Sequence, residues 1–231
     1  MNKSIEISNL WELNPIWSVL TESEREWLSE RVNVIQLAKN TIIHSEGDKA
    51  EHMWTLATGK VRIYKEGVGQ RAQIIRLLKA QDLFGFRAVI AGDTYTSYAS
   101  AFEPCKIFQV EATDFMYLLR KNNRFCFEVM TALARDLAVS EVQTVNLTQK
   151  HIRGRLAEAL LTIRRNYGLD EDGVTLALRI SREDLANMSN MTTSNAIRTL
   201  SQFAQEDMIA VDGRHIRILN EDALKKVSRI G

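Results

Sequence analysis

Between Pro104 and Gly154 the chain contains neither glycine nor proline, and a stretch of that kind can be little other than helix once its strand-like opening is passed. Thr113-Asp114 opens a short helix over Phe115 to Arg120, and Asn122-Asn123 breaks it. A much longer helix then follows. Phe125, Val129, Leu133, Leu137 and Ser140 recur at helical spacing along it, with Val142 and Val145 continuing nearby. Such a helix has more apolar stripe than one small domain can cover. We therefore expect Phe125, Val129, Leu133, Leu137 and Ser140 to form a dimer interface with the same helix of a second copy. The helix also divides the chain, which reads as residues 1–121, a connecting helix with a hinge over 122–150, and residues 151–231.

The first region has a different texture. Pro15, Leu20, Trp27 and Leu28, with Thr21 ahead of Glu24, suggest short capped helices. From Ile35 to Val110 short alternating runs are punctuated by glycine, as expected of a β-sandwich or barrel.

The last region carries the clearest function. Ser181 begins a short helix through Leu185 and Ala186, Ser189-Asn190 interrupts it, and Thr192 caps a second helix. Ala196, Ile197, Leu200 and Phe203 are expected to face a core, leaving Thr193, Ser194, Asn195, Arg198 and Ser201 on a polar face. Met208 to Leu219 is then two apolar runs joined by Asp212-Gly213, a strong hairpin signal, with Arg214, His215 and Arg217 at its basic end. Two helices, a turn and a hairpin in this order read as a winged helix-turn-helix that binds double-stranded DNA. Arg198 is the candidate guanine contact, and Thr193 and Ser194 are weaker readers. Arg182, Thr192 and Asn195 are placed toward the phosphates, and Ser181 and Arg214 complete the candidate DNA-binding set.

Composition bounds the alternatives. The net charge of +1 offers no overall basic excess, and from Lys150 onward 13 Lys and Arg face 11 Asp and Glu, so affinity must come from local placement and from doubling the contacts. No apolar run is long enough to span a membrane and no secretory leader is evident, so a cytoplasmic protein without a membrane partner is expected. Cys105 and Cys126 cannot furnish a four-thiolate cluster. His44 and His52 lie eight apart with no His-x-His pair, which argues against a metal site and against a cupin-type enzyme. We expect no catalytic residues.

These features in sequence resemble the Crp/Fnr family of bacterial transcription regulators. The likeness is carried by Glu46-Gly47-Asp48, Gly59-Lys60-Val61, Asp82-Leu83-Phe84-Gly85, Arg153-Gly154-Arg155-Leu156-Ala157, Ser181 to Ala186, and Ala196 to Leu200. It implies an α+β chain: an N-terminal double-stranded β-helix (jelly-roll) sensor domain, a long dimerisation helix and a C-terminal winged helix-turn-helix. It further implies a homodimer on a palindromic operator, with RNA polymerase as a further partner.

Family members with a cyclic nucleotide ligand use a Gly-Glu pair for the ribose and an Arg-Ser pair for the phosphate. Here Phe86 and Thr96 stand in place of the acid and the arginine, while Gly85 and Ser97 remain. Arg87 is not expected to substitute, because neighbours in an extended segment point to opposite sides. Cyclic AMP is therefore not an expected ligand, and no cofactor is. The pocket is expected between Phe84 and Tyr98, closed by Val139 and Ser140. A haem would need His44, His52, Met53 or Cys105 as an axial ligand, with no second signal in support.

Overall fold

The computed structural model describes residues 10–67 and 71–230. The first nine residues, on which the reading of a leader partly rests, lie outside them. The chain forms two compact units, one of residues through Lys65 with Ile75–Ala138, the other of Glu66–Ile74 with Val139 onward.

In the first unit, α1 (Pro15–Ser18) and α2 (Glu22–Ser29) are short helices with the caps their sequence announces. Thr21 and Glu24 complete a reciprocal capping box, satisfying donors that a helix start otherwise leaves open. Strands β1 (Asn33–Leu37), β2 (Ile42–His44), β3 (His52–Thr58), β4 (Val61–Glu66), β5 (Ala72–Leu78), β6 (Leu83–Phe84), β7 (Tyr98–Ala101) and β8 (Cys105–Glu111) follow. They make two four-stranded sheets in the orders β1-β8-β3-β6 and β2-β7-β4-β5, the two layers of a β-roll. A short helix α3 (Phe86–Ala91) leaves β6, and α4 (Ala112–Lys121) leaves β8.

Strand β3 is buried on both faces. Met53 joins Trp17, Phe108, Phe115 and Phe125 in a core between sheet and helices, whereas Trp54 and Leu56 join Val61, Phe84, Ala99 and Ile107 between the sheets. Thr55, fully buried on the helix side, accepts a 2.9 Å hydrogen bond from the Trp17 indole, so the polar end of that ring is not left unpaired. Gly59 turns β3 into β4 at φ +86°, and a Cβ there would collide with the Pro104 carbonyl oxygen.

The long helix is α5 (Asn123–Gln149). Its start corrects the expected interface. Phe125 and Val129 are 0% and 1% exposed within the single chain, Phe125 packing 5.4 Å from Trp17 and 5.7 Å from Phe115, and Leu133 is half-buried against the same core. Those side chains are already used. The free apolar face lies opposite, where Phe127, Met130, Leu137, Val142 and Val145 are 50–64% exposed. Both stripes have helical spacing, and the sheet-side core takes the one bearing Phe125.

The second unit contains α6 (Ile152–Tyr167), α7 (Arg182–Met188), α8 (Thr193–Gln205), the hairpin β9 (Ile209–Asp212) and β10 (His215–Ile218), and α9 (Glu221–Ile230). The break between α5 and α6 is tied down: the Lys150 ammonium donates to Glu158 at 3.0 Å and to Ser228 at 3.1 Å. Leu176, Leu178 and Ile180 are buried in alternation as a strand would have them, but this segment makes only isolated bridges, with Leu176 donating to the Ile216 carbonyl at 2.9 Å.

Candidate functional site

Helix α7 opens at Ser181, whose hydroxyl accepts from the Asp184 amide at 3.0 Å, and its turn to α8 runs through Asn190 at φ +48°. Arg155 of α6 holds that turn. Its guanidinium donates to the Ser189 carbonyl at 2.9 Å, to the Asn190 carbonyl at 3.1 Å and to the Lys150 carbonyl at 3.0 Å. A planar, multi-donor group suits three carbonyls that would otherwise compete for one amine. Arg155 stands in the family pattern, but no local signal announces this clamp, because its two partners in the turn lie 34 and 35 residues away.

Helix α8 is capped by Thr192, which accepts from the Asn195 amide at 3.3 Å. Ala196, Leu200 and Phe203 are buried as expected. Ile197 is not: it is 48% exposed, and Thr199 is buried instead. The physical reason is the helical period, since 196, 199, 200 and 203 share one face and 197 lies about 100° from its centre. The exposed face therefore carries Thr193, Ser194 and Arg198 with an apolar neighbour, Ile197. Ser201 is also exposed, its hydroxyl donating to the Ile197 carbonyl at 3.1 Å.

The hairpin pairs His215 with Asp212, so the two central turn residues are Gly213, at φ +54°, and Arg214. Arg214, His215 and Arg217 are exposed. Arg182 donates to the Gly213 carbonyl at 2.6 Å, which ties the start of α7 to the hairpin tip and leaves fewer of its donors for a phosphate. Behind this face Arg153 pairs with Glu206 at 2.7 Å and covers the Phe203 ring at 5.0 Å, fixing α6 against α8.

Residues 34–122 match the cyclic nucleotide-binding domain family, and residues 154–227 match the Crp-like helix-turn-helix domain family. The chain belongs to the Crp/Fnr family. It is 26% identical over 211 residues to the "Probable transcriptional regulator flp" of Lacticaseibacillus casei, covering 91% of this chain and 94% of that one. It is 25% identical over 217 residues to the fumarate and nitrate reduction regulatory protein of Vibrio cholerae, covering 91% and 85%. A crp/fnr-family regulator from Eubacterium rectale has the same fold, with a TM-score of 0.77 at 18% identity over 93% of this chain and 98% of that one. This Crp/Fnr chain is thus a transcription regulator with a helix-turn-helix DNA-binding domain, and its matched relatives are regulators rather than enzymes. Among the described residues no helix is long and apolar enough to cross a membrane.

The β-roll pocket of this Crp/Fnr chain is lined by His44, Ile63, Arg76, Phe84, Gly85, Phe86, Arg87, Ala88, Tyr95, Thr96 and Ser97, around a cavity of about 40 Å³. Three expected residues are absent from that lining. Tyr98 stacks on Tyr64 with ring centroids 5.1 Å apart, and Val139 and Ser140 do not line the cavity. Arg87, a pocket candidate not expected to stand in for the lost arginine, lines it. The expectation presumed an extended segment, whereas Gly85 at φ +79° ends β6 and starts α3. A Cβ on Gly85 would lie 2.7 Å from the Trp54 ring, so glycine is required for contact as well as for φ. Phe86 turns inward, 2% exposed in the helix-side core.

His44 and Arg76 were not anticipated in the pocket, since each comes from a strand remote in sequence from the Gly85–Ser97 loop. His44 is sandwiched by Trp54 at 5.3 Å and Tyr95 at 4.0 Å, and burial lowers its pKa to about 4. Backbone hydrogen bonds at Ser45 and Ser97 raise it in part, yet among the described residues its Nδ1 has no hydrogen-bond partner. Arg76 pairs with Asp136 of α5 at 2.6 Å. The other three candidate haem ligands lie elsewhere: Met53 in the helix-side core, Cys105 between the sheets, and His52 within 3.1 Å of Glu111.

Proposed function

We propose that this regulator acts as a homodimer on a palindromic operator, with α8 reading the major groove and the exposed face of α5 joining the two copies. The observation that carries the reading is the exposed, donor-rich face of α8 beside the basic hairpin tip. In it Arg198 makes the principal base contact, as the one side chain there able to meet guanine in a bidentate way. Ile197 supplies an apolar contact suited to a thymine methyl, and Thr193 and Ser194 add weaker discrimination. Thr192, Asn195 and the amides at the start of α8 serve the phosphate backbone, as do Arg214 and whatever donors Arg182 retains.

The face bearing Phe127, Met130, Leu137, Val142 and Val145 supports dimerisation, because apolar side chains in such a row are stabilised by mutual burial. Two copies would present half-sites about 34 Å apart. The β-roll does not take cyclic AMP in this reading: Phe86 occupies the place of the ribose-binding acid and faces the core, and Thr96 replaces the phosphate-binding arginine. The protein works in the cytoplasm, with RNA polymerase as its partner at the promoter and no catalytic role or cofactor.

Selection from random duplex DNA followed by mobility shift tests this. Binding should favour a palindrome and weaken steeply with salt, and Arg198→Ala should lose the preference. A wild-type protein that selects no palindrome refutes the reading. Calorimetry showing micromolar binding of cyclic AMP refutes the account of the pocket.

A further inference from the structure

The pocket beside α3 has a donor set that the loss of the nucleotide signature does not explain. Its charged lining is wholly cationic, Arg76 and Arg87, with no carboxylate among the lining residues. Arg87 is exposed and, among the described residues, has no ion-pair partner. His44 is 7% exposed, lines the cavity and carries the unpartnered Nδ1. Ser97, 8% exposed, and Thr96 add hydroxyls. A buried polar atom without a partner is costly to retain unless something satisfies it.

Size narrows the occupant. The enclosed part, about 40 Å³, has room for about three water-sized groups, enough for one oxyanion headgroup. Guanidinium groups match carboxylate or phosphate oxygens in pairs, and a neutral imidazole donates from one ring nitrogen and accepts at the other, so His44 offers the anion one donor in the tautomer protonated at Nδ1.

We propose that this pocket binds a small dianionic oxyanion, of phosphate or short dicarboxylate type, held by Arg87 and Arg76 and completed by His44 and Ser97. The proposal rests on the reading of the β-roll as a sensor domain. It also supplies a route outward. Arg76 on β5 is paired with Asp136 on α5, and both side chains are largely buried, 26% and 18% exposed. An incoming anion competes with Asp136 for that guanidinium, so occupancy of the pocket and the hold on α5 become one equilibrium. Facing Arg76 are Asp136 and, more remotely, Asp82, whose carboxyl is pushed up by burial and which therefore opposes the ligand less than a freely ionised acid would.

Calorimetry of the full-length protein with inorganic phosphate and with succinate decides the matter, with cyclic AMP as the comparison. We expect a Kd below about 1 mM for one of the two small anions, which also tells phosphate from carboxylate chemistry, and none for cyclic AMP. Arg87→Gln should weaken that binding tenfold or more, with partial recovery in Arg87→Lys, while Arg198→Ala leaves it unchanged, which separates the pocket from phosphate bound on the DNA-reading face. Asp136→Asn should tighten it severalfold by releasing Arg76. The proposal is overturned if neither anion binds below 10 mM, if Arg87→Gln binds as well as wild type, or if Asp136→Asn has no effect. DNA binding measured without added anion is independent of all these outcomes, so failure here leaves the regulator reading standing or falling on its own assay.

Discussion

Leu137 and Phe125 sit on the same helix, three turns apart, and removing each should have opposite consequences. Leu137 is 63% exposed on the free face of α5, and Phe125 is fully buried in the chain's own core. Covering a Leu side chain completely is worth about 1.5–3 kcal/mol, so the exposed fraction of Leu137 is worth about 1–2 kcal/mol on each copy. A two-fold interface uses it twice, and Leu137→Ala should cost about 2–4 kcal/mol of association. That is roughly a 30- to 1,000-fold rise in the dimer dissociation constant at about 1.4 kcal/mol per decade. Phe125→Ala instead opens a cavity beside Trp17 and Phe115 and should cost about 3–5 kcal/mol of folding stability, with the dimer constant of the folded protein nearly unchanged. Sedimentation equilibrium across a concentration series, with urea unfolding of each variant, separates the two effects. The assignment of faces is wrong if Leu137→Ala stays dimeric while folded Phe125→Ala dissociates.

Arg198→Ala should lose about 1–3 kcal/mol of discrimination at one base position while keeping most of its non-specific affinity, measured by competition between operator and random duplexes. Arg155→Ala strips three carbonyls of their donor and should destabilise the DNA-binding unit by about 3 kcal/mol, and Arg155→Lys should rescue little because one ammonium cannot span them; denaturant unfolding and operator affinity should fall together. His44, with its pKa lowered to about 4 from 6.5, stays neutral in the folded protein while the unfolded chain takes up a proton. Stability is thus unaffected above pH 6.5 and is lost as pH falls toward 4, by about 2 kcal/mol at pH 5. His44→Gln should flatten that part of the profile; an unchanged slope would refute the assignment.

The DNA-reading end was legible because its signals are local. Ser181 and Thr192 announce helix starts from their own side chains, Asp212-Gly213 announces a turn, and spacing of three and four puts Ala196, Leu200 and Phe203 on one face. Ile197 lies one residue out of phase with that face, and its hydrophobicity alone does not bury it. The covered stripe of α5 escapes the sequence for a related reason: the first half of the helix is apolar on two sides, and only the tertiary presence of Trp17 and Phe115 decides which is covered. The pocket was least legible. Arg87 depends on Gly85 turning β6 into a helix, and His44 and Arg76 converge on it from strands whose sequences give no hint of their destination.

Because Met53, Trp54, Thr55 and Leu56 of β3 are buried on both sides, the two cores meet across a single backbone. A change of volume at Trp54 or Leu56 presses directly on Met53 and Thr55, so paired substitutions on its two sides should interact rather than add. This bears on how such a protein acquires a new signal. The shared wall leaves little room for substitution, whereas Arg87 and Thr96 line the pocket from exposed positions and can be exchanged one at a time. A lineage could change what it listens for many times over while the strand at its centre stayed fixed.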